Sequence, residues 1–187
     1  MVRSFKMRLD DQFMGENVRK KIKKLGKEVT IYPTAKIVNP QMVEIGDYSM
    51  IDDFTFINGG NGTIIGRYVH IAAFTSITGG GELEVGDYAD IAYGARILTG
   101  TDTHHGGKRM TSALPLEQRN VVRGKVIIGR DAFIGTNAVV HPNVTIAEGA
   151  IIGSNSLVLK DVEPWSINVG SPCKKIGQRP KIFQPNI

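Results

Sequence analysis

Aliphatic residues recur at every sixth position through most of this chain, and this period is its strongest structural signal. In the second half, the aliphatic positions six residues apart are Ile128, Ile134, Val140, Ile146, Ile152 and Val158. In the first half, three similar segments begin at Ile45, Ile65 and Val85, which are spaced by 20 residues. A helical period of 3.6 does not produce a period of six over many copies, and plain strand alternation does not place Gly after the aliphatic residue each time. The pattern predicts an internal repeat of short strands.

Such a repeat closes most simply as a triangular coil of three strands. Strands of about six residues are roughly 20 Å long, and stacked coils about 4.8 Å apart satisfy each other's backbone groups. The aliphatic residue points inward, and a small fifth residue lets the chain turn the corner. The small or short residues at that position are Ser49, Thr55, Val69, Thr75, Ala89, Ala95, Ala132, Ala138, Val144, Ala150 and Ser156. The extra residues of the first half fall at Gly59–Gly62 and Gly79–Glu82, where Gly permits turn conformations that other residues resist.

These repeats resemble those of the hexapeptide-repeat acyltransferases over about Ile31 to Lys175. The resemblance implies an all-β solenoid, specifically a left-handed parallel β-helix of hexapeptide repeats. It also implies acetyl-CoA as donor substrate, no metal, and a homotrimer with its sites between subunits.

The pattern divides the chain into three parts: an N-terminal helical cap (1–27), the β-helix (28–163) and a C-terminal turn and arm (164–187). Asp10–Leu25 is predicted to form a short helix, because Phe13, Val18, Ile22 and Leu25 are close to helical spacing. The hexads break once, at an excursion loop of residues 100–125, and a long loop inside a compact solenoid is usually functional.

The net charge of the chain says little about its binding partners. The chain of 187 residues has a formal net charge of +5, and the window Glu16–Lys27 accounts for all of it. One local basic run is typical of a solvated helix face, so we expect no nucleic-acid partner. Neither a membrane span nor a signal peptide is predicted. The single cysteine, Cys173, excludes an internal disulfide and fits a reducing, cytoplasmic location.

The excursion contains the candidate catalytic residues. Its segment Thr101–Gly106 resembles the loop from which sugar acetyltransferases of this family supply a histidine base. The resemblance implies that His104 takes the proton from an acceptor hydroxyl, with His105 as the other candidate base and Asp102, or a backbone carbonyl, orienting the ring. Imidazole suits this role because its pKa lies near neutral pH.

The coenzyme A residues are expected near the C-terminal coils, on the same resemblance. They are Gly135, Thr136, Gly153, Ser154, Lys160, Pro172, Lys174, Lys175 and Arg179. Cys173 stands in the turn where the family has either Ala or Cys, and direct transfer needs no thiol nucleophile. His70 and Asp90 end the first hexads of their coils and either face an acceptor or are ordinary exposed corners.

A closer resemblance concerns acetyltransferases of surface-polysaccharide gene clusters, through Met110–Pro115 and the opening Val29–Ile37. It implies O-acetylation of a galactoside or polysaccharide precursor, and the histidine pair favours such a hydroxyl acceptor. The alternative is N-acetylation of a nucleotide-linked amino sugar, since some members act on 4-amino-6-deoxy sugars. A zinc hydratase is disfavoured, because the adjacent His104 and His105 would point to opposite sides of a strand. A non-catalytic β-helix assembly module is the third class.

Overall fold

The computed structural model describes residues 13–183 and forms a prism with three parallel sheets as its faces. The strands of the first face are Lys24–Leu25, Val43–Ile45, Gly62–Ile65, Glu82–Val85, Lys125–Ile128 and Thr145–Ile146. Those of the second face are Thr30–Ile31, Met50–Ile51, His70–Ile71, Asp90–Ile91, Phe133–Ile134, Ile151–Ile152, Ser166–Val169 and Lys174–Gln178. Those of the third face are Lys36–Val38, Phe56–Asn58, Ser76–Thr78, Arg96–Leu98, Val139–Val140 and Leu157–Val158. The predicted all-β solenoid of parallel strands is confirmed.

The period of six places at least one aliphatic residue of most strands inside the prism, and longer strands of the first face bury two, as at Val43 and Ile45. Successive coils pair in register, so that Ile51, Ile71 and Ile91 stand above one another on the second face. Each of these three side chains is fully buried. The small fifth residues are buried as well, including Ser49 and Thr75, whose hydroxyls donate to backbone carbonyls. Burial of polar hydroxyls is tolerated here because each has a hydrogen-bond partner.

The corners depend on the residue before each small one as well as on the small residue itself. The residue before each small one has left-handed backbone geometry, and it is often aromatic or Asn, as at Tyr68 (φ 55°) and Asn155 (φ 58°). The glycine after the aliphatic residue is required for a steric reason, because the next coil stacks directly on it. A Cβ at Gly46 would lie 2.6 Å from the carbonyl carbon of Gly66, closer than any side chain can approach.

The N-terminal helix is much shorter than the sequence predicts. It spans only Gly15–Arg19, and Lys24–Leu25 is instead a strand of the first face paired with Glu44 and Ile45. Val18 is fully buried and Ile22 nearly so, and the helix packs on the strands of the first coil. The basic run therefore continues from the helix into a turn and a strand. The predicted start of the helix at Asp10 lies outside the described residues.

Two segments leave the regular coil. In the excursion, Gly100–Asp102 pairs antiparallel with Val121–Arg123, which makes a hairpin between the third and first faces. Near the C-terminus, Lys174–Gln178 folds back antiparallel on Ser166–Val169 and extends the second face. The expected C-terminal arm is thus a strand at its start.

Candidate active site

The excursion hairpin places the candidate catalytic residues differently from the expected arrangement. Asp102 accepts two hydrogen bonds from Arg119, at 3.0 Å from Nε and 2.8 Å from Nη2. Both side chains are largely buried. The carboxylate expected to orient His104 is therefore paired with an arginine, and this pair joins the two strands of the hairpin where the loop begins.

His104 and His105 lie at the exposed end of the hairpin. Their ring centroids are 4.2 Å apart with the planes tilted by 37°. The backbone of His105 is fixed, because its N–H donates to the Thr103 hydroxyl and its carbonyl accepts from the Asn120 amide. Neither imidazole has a hydrogen-bond partner within residues 13–183. A general base needs an oriented ring, and the described part of this chain does not supply that orientation.

A cavity of about 450 Å³ lies at the same edge of the prism, toward the C-terminal end. Four of the residues expected to bind coenzyme A line it, namely Lys160, Pro172, Lys174 and Lys175. Lys175 is paired with Glu163 at 2.7 Å, whereas Lys160 and Lys174 have no carboxylate partner among the described residues. The cavity therefore combines apolar walls with two lysines outside ion pairs, and Asp161 also lines it.

The remaining expected donor residues lie elsewhere. Gly135, Thr136, Gly153 and Ser154 follow second-face strands and turn the corner toward the third face, where Gly135 stacks against Gly153 and Ser154. They form one patch, and it stands at a different edge of the prism from the cavity.

Arg179 also stands apart from the lysines, with a structural role. Its guanidinium donates to the carbonyls of Asp131 and Gly149 and lies over the Trp165 ring. The structure therefore does not bring Arg179 together with Lys174 and Lys175.

Cys173 lies at the cavity wall, and burial raises the pKa of its thiol. A thiol kept protonated is a poor nucleophile. This agrees with the expectation that transfer does not pass through a cysteine.

A cluster that sequence reasoning treated as possible exposed corners stands on the second face. His70 lies between two aspartates, with Nε2 at 3.1 Å from Oδ2 of Asp52 and Nδ1 at 3.2 Å from Oδ1 of Asp90. The contact with Asp90 raises the pKa of His70 above its ordinary value; burial opposes this, and Asp52 adds to the rise. The repeat itself carried a signal for this cluster, since Met50, His70 and Asp90 occupy equivalent positions of successive coils.

Comparison with known proteins identifies the family. Residues 125–160 match the model of the bacterial transferase hexapeptide (six repeats). Along most of its length the chain is 36% identical to a dTDP-4-amino-4,6-dideoxy-D-glucose acyltransferase of Escherichia coli, over 88% of this chain and 90% of that protein. The chain belongs to the hexapeptide-repeat acyltransferase family.

Solved structures agree with this assignment. AntD, an N-acyltransferase from Bacillus cereus in complex with dTDP and 3-hydroxybutyryl-CoA, superposes with a TM-score of 0.82 at 35% identity, over 91% of each chain. A maltose O-acetyltransferase from Clostridium difficile 630 has a TM-score of 0.59 at 19% identity, covering 88% of this chain and 74% of that one, and shares the fold.

Residues 13–183 contain no group of three or more His, Cys, Asp or Glu side chains arranged to hold a metal ion. No helix in that range is long and apolar enough to span a membrane.

Proposed function

We propose that this acyltransferase moves an acyl group from acyl-CoA to the amino group of a nucleotide-linked amino sugar. The observation that carries the proposal is the full-length relationship to a dTDP-4-amino-4,6-dideoxy-D-glucose acyltransferase and to AntD. These relatives match about nine tenths of the chain, well beyond the residues 125–160 that the family model matches. The amino-sugar acceptor, the sequence-based alternative, is therefore preferred to the hydroxyl acceptor.

The geometry of the excursion supports the same choice. A hydroxyl acceptor needs a base to remove its proton as it attacks, whereas a neutral amine is already nucleophilic. Asp102 is held by Arg119, and the His104 and His105 rings have no orienting partner in the described chain. Among the described residues of the hairpin no side chain orients either imidazole, and N-acylation of a neutral amine does not depend on such a base.

The donor is placed in the C-terminal cavity. Lys160 and Lys174 supply positive charge for coenzyme A phosphates, and the apolar wall of Val158 and Pro172 suits the pantetheine arm. Since Gly135 and Gly153 stand at another edge of the prism, one copy of the chain does not join both halves of the expected donor site. We therefore include in the proposal a homotrimer with sites between subunits, which would bring the two edges together, and a cytoplasmic location.

The decisive experiment is a product analysis. The purified protein is incubated with acetyl-CoA or 3-hydroxybutyryl-CoA and three acceptor sets: dTDP-4-amino-4,6-dideoxyglucose, dTDP-sugars without an amine, and free galactosides. We expect acylated product only from the amino sugar. The product should resist alkaline hydroxylamine, which cleaves esters and leaves amides intact. Acylation confined to hydroxyl acceptors would overturn the proposal.

A separate measurement distinguishes the enzyme from an assembly module. Acetyl-CoA and free coenzyme A should raise the melting temperature of an enzyme that binds its donor. An unchanged melting temperature at millimolar coenzyme A, together with no product from any acceptor, would favour the module.

A further inference from the structure

In the neutral form of His70 that donates to Asp52, the Asp52–His70–Asp90 cluster has two hydrogen-bond acceptors that face each other without a donor, whereas the protonated ring donates to both aspartates. The Nε2–H of His70 is assigned as the donor to Asp52, because their separation of 3.1 Å has hydrogen-bond geometry. In the neutral ring Nδ1 then carries a lone pair, and it faces Oδ1 of Asp90 at 3.2 Å. That oxygen is buried and has no hydrogen-bond partner among the described residues. Oδ1 itself has no exposed surface, so an incoming donor reaches Asp90 through the exposed part of its carboxylate, whose side chain is 46% exposed.

The charge of the cluster specifies what kind of donor fits. With a neutral imidazole the three side chains carry two negative charges, and with an imidazolium they still carry one. Within residues 13–183, neither Asp52 nor Asp90 forms an ion pair with a lysine or arginine. A cationic N–H donor therefore complements the cluster better than a hydroxyl group does.

The cluster is also accessible from solvent, as a substrate site must be. The side chains of His70 and Asp90 are 31% and 46% exposed. Two residues beyond Asp52 along the chain, Phe54 stacks on Phe74 at 5.1 Å, and both rings are more than half exposed at the adjoining corner. An anionic cluster near an exposed apolar corner matches a sugar that presents an amine beside a deoxy carbon.

We propose that this cluster is the acceptor-amine site, in which Asp90 binds the ammonium group of the sugar and His70 takes its first proton. Asp52 is a positioning residue that holds the His70 tautomer. The inference rests on the proposed function and names the groups of this chain that receive the amine.

The chemical step balances with these residues and the two substrates. The ammonium nitrogen transfers one proton to Nδ1 of His70 and becomes a neutral amine. The amine attacks the thioester carbonyl carbon, so that a C–N bond forms and the C–S bond breaks. The second proton leaves the nitrogen for the departing sulfur, which gives free coenzyme A, and His70 then releases its proton to solvent.

Matched pKa values make the first transfer favourable. Amines titrate between about 8 and 10, and a base is most effective when its pKa approaches that of the acid it deprotonates. Asp90 is the largest cause of the raised pKa of His70, Asp52 adds to the rise, and burial opposes it. In the described structure these two aspartates are the titratable side chains that contact the ring. The neutral, active form of His70 accumulates as the pH rises through this raised value.

The test compares four variants of the full chain, His70→Gln, Asp90→Asn, Asp52→Asn and the control Glu148→Gln, which changes an exposed carboxylate at another corner. The readout is kcat/KM for the amino sugar as a function of pH. For the wild type we expect an acidic limb with a midpoint above 6.5, the ordinary His value. His70→Gln should remove the limb and lower kcat/KM about 100-fold, within the range for loss of a general base.

The two aspartate variants separate binding from positioning. Asp90→Asn should lower kcat/KM roughly 100-fold, because it removes both the amine contact and the largest cause of the raised His70 pKa. Asp52→Asn should lower it about tenfold and move the acidic limb to lower pH, an effect that lost packing would not produce. Thermal shift with coenzyme A serves as a folding check for every variant, and Glu148→Gln should match the wild type.

The possible outcomes distinguish a wrong amine site from a wrong proposed function. If His70→Gln and Asp90→Asn keep wild-type kcat/KM and the same acidic limb while the wild type forms the amide, the cluster is not the amine site and the proposed function stands. If the wild type acylates hydroxyl acceptors only, both proposals are overturned. If His70→Gln does not fold, the pH profile of kcat/KM for Asp52→Asn tests the inference instead. An acidic limb with the same midpoint as in the wild type would contradict the role of His70.

Discussion

Asp102 and Arg119 form a bidentate ion pair at the loop end of the paired strands of the excursion hairpin. The carboxylate belongs to the last paired position, Asp102 with Val121, and the arginine precedes the second strand. Breaking a largely buried pair leaves one uncompensated charge, which costs about 3 kcal/mol. This pair explains why a hairpin rich in exposed polar residues has a defined geometry.

Replacement of Arg119 should therefore open the hairpin without unfolding the coil. In Arg119→Gln, hydrogen exchange of the amides in Gly100–Asp102 and Val121–Arg123 should accelerate by about 100-fold, while the amides of the coil keep their protection. Lys108→Gln is the matched control in the same hairpin, since Lys108 is exposed and donates only to the Glu117 carbonyl. Equal exchange in both variants would show that the ion pair does not hold the hairpin.

Loss of either loop histidine should change activity little. We expect His104→Ala and His105→Ala to lower kcat for the amino sugar by less than about threefold, because general-base losses are much larger and these rings have no orienting group. Steady-state kinetics at saturating donor would measure this. A loss of two or more orders of magnitude in His104→Ala would restore the loop histidine as the base.

The lysines of the C-terminal cavity should differ in their effect on donor binding. Lys174→Gln should raise the KM for acyl-CoA by about tenfold, which corresponds to roughly 1.4 kcal/mol, and make it less sensitive to salt. Lys175→Gln should have a smaller effect, since Lys175 is already paired with Glu163. Hydrogen bonding to Lys175 lowers the pKa of Glu163, so this pair persists at neutral pH. An equal KM for both variants and the wild type would place the donor elsewhere.

A single added methyl group at a stacked glycine should destabilise the coil. Gly46→Ala places a Cβ 2.6 Å from the Gly66 backbone, and overpacking of this kind costs roughly 1–3 kcal/mol. Gly177→Ala is the control, because its Cβ would meet its nearest neighbour, the Ile167 side chain, at 3.8 Å. Urea unfolding monitored by circular dichroism measures both. Similar midpoints for the two variants would contradict the stacking argument.

The sequence determined the core of this protein because one short period repeats in every coil. A residue such as Ile91 must be buried wherever the six-residue pattern holds, and its neighbours Ile71 and Ile134 follow from the same register. The family and the general acyltransferase activity were also within reach of the sequence, since many repeats agree and the Ile-Gly steps recur. These features are periodic, so local residues are enough to predict them.

Tertiary structure decided the features that do not repeat along the chain. Lys24–Leu25 is a strand instead of helix because the first face offers the open edge of Val43–Ile45, and pairing there outweighs a weak helical preference. The partner of Asp102 is 17 residues away on the other arm of a hairpin, which no spacing rule specifies. His70 meets Asp52 and Asp90 because consecutive coils stack side chains from positions 18 and 20 residues apart. Side-chain direction at a turn depends on the fold around it, and the chemistry of this chain depends on those directions.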